Sequence, residues 1–123
     1  MLNAVFLDAR SKKVRLINLA KNNLLNNLRQ FLKCQRVEHL ELRLQGVTFS
    51  CFTDDEGAFE ITDQDTGTLD GIKIVDISYG EPMYIPKGLV ILMDDDSSLT
   101  TESETIILNE VRNKSITFTK LSV

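Results

Sequence analysis

Strict two-residue alternation between residues 40 and 51 is the feature that most constrains the fold. The apolar positions are Leu40, Leu42, Leu44, Val47, Phe49 and Cys51. Between the two groups of three lies Gln45-Gly46, a pair suited to a two-residue hairpin turn. Residues two apart on a strand share a face, so the pattern predicts an antiparallel hairpin in which Leu44 faces Val47, Leu42 faces Phe49 and Leu40 faces Cys51.

Three other stretches predict regular structure. Val5 and Leu7, then Val14 and Leu16, flank a polar turn at residues 10–13 and predict two short opening strands. Apolar residues recur at helical spacing between residues 24 and 32, so a helix is expected over about 19–34. The uninterrupted apolar run at residues 89–93 predicts a central strand that is buried on both faces.

The middle of the chain is less regular. An acidic turn at residues 54–57 leads to Phe59 and Ile61, which predict a third strand of the same meander. Residues 62–71 have the composition of a loop, and residues 72–75 predict a short strand after it.

The last quarter of the chain leaves one alternative open. Residues 99–112 fit a short helix, with Glu104 completing a capping box from Thr101, or with Ser98 as the cap. The β-rich residues 105–108 fit a strand instead. A closing strand is expected at residues 116–119. The whole pattern predicts one α+β domain over residues 1–123, with a largely antiparallel sheet.

Charge is divided unevenly along the chain. Residues 1–45 carry nine basic and three acidic residues, which gives +6, whereas residues 46–110 carry fifteen acidic and two basic residues, which gives −13. Basic residues that could contact phosphate are Lys12, Lys13, Arg15, Lys21, Arg29 and Lys33. The net charge of −4 nevertheless argues against a general nucleic-acid binder, because the acidic half repels the same backbone.

The acidic segment is the first candidate functional surface. The residues expected to bind a partner are Asp54, Asp55, Glu56, Glu60, Asp63 and Asp65. In one interpretation these residues, together with Asp70 and Asp76, act as an acidic DNA mimic. In the other, the acidic residues only balance the charge of the basic half or remain solvated. Reversing Asp54, Asp55 and Glu56 to Lys is expected to weaken partner binding with little change in thermal stability.

A second candidate site is the segment around Gly80 and Pro82. Tyr79, Glu81 and Tyr84 could line a pocket for a small ligand or nucleotide, either within one chain or between two subunits, and charge complementarity also allows a homodimer. The competing interpretation is that the two tyrosines pack this loop onto the sheet.

Catalytic and metal motifs find little support. The predicted register places His39, the single histidine, on the opposite sheet face from Cys51. Asp63-x-Asp65 lacks the later Gly and Glu of a calcium loop, and at most two carboxylates of Asp94–Asp96 can converge on Mg²⁺. We expect no metal and no cofactor, and the two cysteines are expected to be reduced.

Several blocks carry a resemblance to a known family. They are the opening strand pair, the helix, Val37-Glu-His-Leu-Glu-Leu42, Asp54-Asp-Glu-Gly57, Pro86-Lys-Gly-Leu-Val-Ile91 and Ser98-Leu-Thr100. In this layout the chain resembles a small domain family of unknown function from bacterial phages and mobile elements. The resemblance implies an accessory protein that acts on host machinery, and it supplies no catalytic residue.

These observations favour a non-enzymatic accessory protein that binds a host protein through a charged surface. A small-ligand or nucleotide-binding protein is the alternative from a second class, and an enzyme that uses Asp94–Asp96 is a third. No apolar run reaches the roughly 18 residues that a membrane span needs, and the first ten residues lack the pattern of a secretory signal. The protein is therefore expected in the cytoplasm.

Overall fold

A computed structural model of the protein describes residues 1–56, 63–75 and 80–122. Within these residues the strands and helices follow one another in the order β1 (Leu2–Asp8), β2 (Lys13–Leu19), α1 (Leu24–Leu32), β3 (Val37–Leu44), β4 (Val47–Asp54), β5 (Thr68–Ile74), β6 (Met83–Pro86), β7 (Gly88–Met93), α2 (Thr101–Arg112) and β8 (Ile116–Ser122). A short 3₁₀ turn, Lys21–Asn23, precedes α1. Across the described residues, no helix is both long and apolar enough to cross a membrane.

The strands form two antiparallel sheets. The larger sheet has the order β2-β1-β7-β4-β3, and the smaller one has the order β6-β5-β8. Every pair of neighbouring strands is antiparallel. This arrangement, with two helices, confirms the predicted α+β class with a largely antiparallel sheet.

The central hairpin has the predicted register. Leu44 pairs with Val47, Leu42 with Phe49 and Leu40 with Cys51. Gln45 and Gly46 both have left-handed backbone angles, with φ of 50° and 78°, which is the geometry of the turn that matches strand twist. Of the six apolar residues, Leu40 and Val47 are half-buried and the other four are buried in the core.

The larger sheet is covered on both faces because its middle strand, β7, is apolar on both. Val90 and Leu92 pack with the α1 residues Leu28 and Leu32. Leu89 and Ile91 belong to a second cluster, which includes residues of the smaller sheet and Ile107 of α2. The molecule therefore has three layers: α1, the larger sheet, and the smaller sheet with α2. The predicted doubly buried central strand is confirmed.

The first helix is shorter than predicted. It spans Leu24–Leu32 rather than about 19–34, because Lys33 adopts a left-handed conformation with φ 53° and its backbone N–H bonds back to the carbonyl of Arg29. The alternative at residues 99–112 resolves as a helix. Its N-cap is Thr100, whose side chain accepts a hydrogen bond from the backbone N–H of Ser103, so neither Ser98 nor Thr101 is the cap.

Two loop predictions are wrong. Residues 68–71 begin strand β5, since they pair with residues 119–122 of β8 and local composition does not report such a distant partner. Tyr84, expected in a loop, lies in strand β6 opposite Lys73. The predicted strand at Phe59 and Ile61 lies outside the described residues.

Candidate functional site

A cleft opens at the end of the larger sheet where β1 turns into β2. Its volume is about 500 Å³, and its walls come from that turn, from the last turn of α1 and from the start of β7. We call it the basic cleft, after the four cationic residues Arg10, Arg15, Lys33 and Lys87 on its lining. Asp8 is the acidic residue of the same lining.

The floor of the basic cleft is aromatic. The rings of Phe6 and Phe31 meet edge to face, with their centroids 5.8 Å apart and an interplanar angle of 68°. The guanidinium carbon of Arg15, the cross-strand partner of Phe6, lies 5.8 Å from the centre of the Phe6 ring. Strand pairing therefore places a planar cation directly over an apolar surface.

Lys87 is held at the inner side of the cleft by a buried ion pair. Its Nζ lies 2.7 Å from Oδ2 of Asp54, and the two side chains are only 7% and 6% exposed. The backbone of Lys87 is left-handed, with φ 68°. Its N–H donates to the carbonyl of Asp70 at 2.8 Å, and its own carbonyl accepts from the N–H of Ala9 at 2.9 Å. These bonds tie both sheets to a single residue.

A second cleft of about 530 Å³ adjoins the first and shares Lys33 and Lys87 with it. Asp54 and Glu56 contribute to its lining, as do Cys34 and Arg36. The lining of this second cleft has three cationic and two acidic residues, so its excess of positive charge is smaller than that of the basic cleft.

The acidic turn is bound up with basic residues of the same chain. Asp54 pairs with Lys87, while the guanidinium of Arg36 lies 3.2 Å from Asp55 and 3.8 Å from Glu56. Asp54 is buried, so its reversal to Lys would place two cations together inside the fold. We therefore expect reversal of all three acids to lower thermal stability, in place of the expectation that it leaves stability nearly unchanged.

The remaining acidic candidates lie elsewhere. Asp63 accepts hydrogen bonds from the backbone N–H groups of Asp65 and Thr66 at 3.0 and 3.3 Å, in the turn before β5. These bonds, led by the one from Thr66, lower the pKa of Asp63. Asp65 is exposed beside it, and Glu60 lies outside the described residues.

The candidate ligand residues around Gly80 are not gathered at either cleft. Tyr84 projects from β6 with 54% of its surface exposed, and Glu81 is exposed just before that strand. Neither residue lines the two clefts described above. Tyr79 lies outside the described residues.

A polar chain of three side chains crosses the α1 side of the larger sheet. Nε2 of His39 lies 2.7 Å from Oγ of Ser50, and that hydroxyl donates to Oδ1 of Asp96. Because Ser50 has one proton, His39 must then be the donor to Ser50. Ser50 is 1% exposed, so its hydroxyl serves as a buried link between two strands and a turn rather than as an accessible nucleophile.

Cys51 has no histidine on its own face of the sheet. Cys51 and His39 lie on opposite faces of the sheet, as predicted, and both cysteines are free thiols. Burial raises the pKa of both thiols, most strongly that of Cys51. In the part of the chain that the structure describes, no three His, Cys, Asp or Glu residues are placed to hold a metal ion.

Sequence reasoning identified Arg15 and Lys33 as basic but missed the cleft that they form. The pairing of Phe6 with Arg15 follows from the opening hairpin, whose register could have been extended to this pair. The approach of α1, which brings Phe31 and Lys33, has no comparable local signal.

Comparisons with known proteins add no relative. No family model matches the chain, and no curated protein or solved structure matches it either.

Proposed function

We propose that this protein is a non-enzymatic binding protein that docks on an acidic surface of another protein through its basic side. The observation that carries this proposal is the way the charges of the sequence separate in three dimensions. We define the basic face as the exposed residues Arg10, Lys13, Arg15, Lys21, Arg29 and Lys33, from α1, the 3₁₀ turn before it and the β1–β2 hairpin.

The layer formed by the smaller sheet and α2 has an excess of acidic residues among those that the structure describes. The described acidic residues of the smaller sheet, α2 and the turns that adjoin them are Asp63, Asp65, Asp70, Glu81, Glu102, Glu104 and Glu110, against Lys73, Arg112, Lys114 and Lys120. A molecule with opposite charge excess on opposite layers turns toward a charged partner before contact. The basic cleft opens on the basic face.

The acidic turn is a weaker docking surface. Asp54 is buried, and Asp55 and Glu56 share the guanidinium of Arg36, so much of their field is compensated within the chain. The same pairing, together with the Asp70–Lys120 bond of 2.6 Å, weakens the case for a DNA mimic. The expected phage or mobile-element context would make the partner a host protein.

A matched pair of charge reversals tests the proposal. Arg29 and Arg112 both occupy the last turn of a helix, on the basic face and on the opposite layer respectively, so Arg29→Glu and Arg112→Glu carry a similar cost to their helices. We expect a tagged wild-type protein and the Arg112 variant to capture the same partner from lysate at low salt. The Arg29 variant should capture at least fivefold less, as measured by quantitative mass spectrometry.

High salt should reproduce the effect of the Arg29 reversal, because exposed charges are screened within about 10 Å at 0.1 M ionic strength. Equal capture by both variants, or capture that persists in high salt, would contradict docking through the basic face. A dimer in which one copy supplies the acidic layer would appear instead as self-association that the Arg29 variant also weakens.

A further inference from the structure

We infer that the outer edge of β3 pairs with the same edge of a second copy of this chain, so that two larger sheets join into one continuous antiparallel sheet. This inference goes beyond docking on another protein and does not depend on it. It rests on the open edge of β3, on the charges along that edge and on the apolar row beside them.

Strand β3 is the last strand of the larger sheet, and within the described residues it pairs only with β4. Because Leu44 and Val47 close a two-residue turn, the carbonyl of Leu44 accepts from the N–H of Val47. Backbone groups alternate in direction along an antiparallel strand, so those of Leu42 also point toward β4 while those of Glu41 and Arg43 point outward. These outward groups can bond a strand of another chain.

The charges along this edge complement themselves. When two copies run antiparallel with Leu42 opposite Leu42, Glu41 of each copy lies opposite Arg43 of the other. Both side chains are exposed, and neither forms an ion pair with another described residue. Opposite charges directly across two strands stabilise their pairing. The edge therefore presents two unused charges at the spacing that a second copy requires.

The same charges select one register. Residues two apart share a sheet face, so a register must keep each face continuous across the two copies. The two nearest alternatives that do so place Glu41 opposite Glu41, or Arg43 opposite Arg43. Like charges directly opposite each other destabilise a strand pair. The register centred on Leu42 is thus favoured over its neighbours.

The apolar face of β3 fits the same register. Leu40 is half-buried, whereas Leu42 and Leu44 are buried in the core beside it. In the paired sheet Leu40 of each copy lies opposite Leu44 of the other, and the two Leu42 side chains are neighbours. Pairing would therefore cover apolar surface that Leu40 leaves exposed in the single chain.

The other edge strands lack this complementarity. Strand β2 carries Lys13 and Arg15 without an acidic residue, and β8 carries Lys120 without one. Strand β6 has only four residues and ends in Pro86. Basic side chains and proline on an edge discourage pairing between copies. Since β2 and β3 are opposite edges of the larger sheet, a dimer through β3 leaves the β1–β2 hairpin open.

Sedimentation velocity over a concentration series tests the inference. A single strand pair is a small interface, so we expect the wild-type protein to dimerise at micromolar concentration. Glu41→Lys and Arg43→Glu should each weaken dimerisation at least tenfold, because each variant places like charges opposite one another. Both positions are exposed, and thermal unfolding checks that the variants fold. A wild-type protein that stays monomeric up to millimolar concentration, or unchanged dimerisation of either variant, would overturn the inference.

Mixing the two variants tests the register. The Glu41→Lys chain is basic at both positions and the Arg43→Glu chain is acidic at both, so each should repel its own copy and pair with the other. We expect an equimolar mixture to form a mixed dimer at concentrations at which each variant alone is monomeric. If the mixture also stays monomeric, Glu41 does not lie opposite Arg43 and the inference is wrong.

Arg29→Glu is the control variant, since Arg29 is exposed on α1 and lies on no strand edge. Its self-association should equal that of the wild type, although its capture of a partner through the basic face should fall. The two proposals can therefore fail separately. If Arg29→Glu weakens self-association as much as Arg43→Glu does, the attraction is general and the assignment to the β3 edge is wrong.

Discussion

Lys87 connects several parts of this molecule through both its side chain and its backbone. It is a lysine with a left-handed backbone, almost fully buried, paired to Asp54 and hydrogen-bonded through its main chain to Ala9 and Asp70. A buried charge without its partner is costly, whereas the pair itself gives little net stability. Stability should therefore depend on keeping both members together.

Asp54→Asn should destabilise the protein by about 3 kcal/mol, because it neutralises the carboxylate that pairs with the buried ammonium of Lys87. The matched control is Asp55→Asn, since Asp55 pairs with an Arg36 side chain that is 71% exposed, and such pairs are worth about 0–1 kcal/mol. Urea unfolding measures both. A loss below about 1 kcal/mol for Asp54→Asn would show that the buried ammonium of Lys87 does not depend on this carboxylate.

At the level of secondary structure, the hairpin of β3 and β4 was predictable to the residue and the smaller sheet was not. Alternation and a Gln-Gly turn are local signals, and they gave each cross-strand partner from Leu40 to Cys51. Strand β5 pairs with β6, the next strand, and with β8, whose residues lie far along the chain. Its N-terminal residues therefore look like a loop in isolation.

Gly71 shows how closely β5 packs against its two neighbouring strands. A Cβ at this position would lie 2.5 Å from Cδ1 of Leu121 and 3.1 Å from the carbonyl oxygen of Ile85, so a side chain there would require Leu121 to shift. Gly71→Ala should lower the free energy of unfolding by about 1–3 kcal/mol through overpacking. Chemical denaturation measures the change.

The double variant Gly71→Ala/Leu121→Ala separates this clash from a general effect of alanine. Removal of the Leu121 side chain clears the closer contact but leaves the one with the Ile85 carbonyl, so the cost of Gly71→Ala should shrink without vanishing in that background. Identical costs in both backgrounds would mean that Leu121 does not set the requirement.

For the whole molecule, the division of charge was visible in the sequence but its arrangement was not. The excess of basic residues in the first third becomes one face because α1 covers the side of the larger sheet on which Arg15 of β2, the cross-strand partner of Phe6, also lies. No local sequence pattern indicates which face of a sheet a helix will cover. The basic cleft, which needs both elements, was unpredictable for the same reason.

Acid should destabilise the molecule over a defined range. The pKa of Asp63 is lowered by backbone N–H groups, led by Thr66, and that of Asp95 by the side chain and backbone of Ser97. A carboxyl with a lowered folded-state pKa gives stability above its unfolded value, about 3.9, and loses it as pH falls. We expect Tm to be nearly constant from pH 8 to 5 and to drop below about pH 4.

Scanning calorimetry across this range checks the prediction, and Asp63→Asn should flatten part of the acid limb. An acid limb identical to that of the wild type would show that the Asp63 turn does not contribute.

The placement of β7 also sets the order in which the protein can be completed during synthesis. The two hairpins made by residues 2–19 and 37–54 emerge first, yet they have no direct strand pairing with each other. They join only through β7, which leaves the ribosome later and must enter between them. Until then the edges of β1 and β4 that β7 will pair remain open, so chaperones can bind strand edges that are covered in the finished sheet.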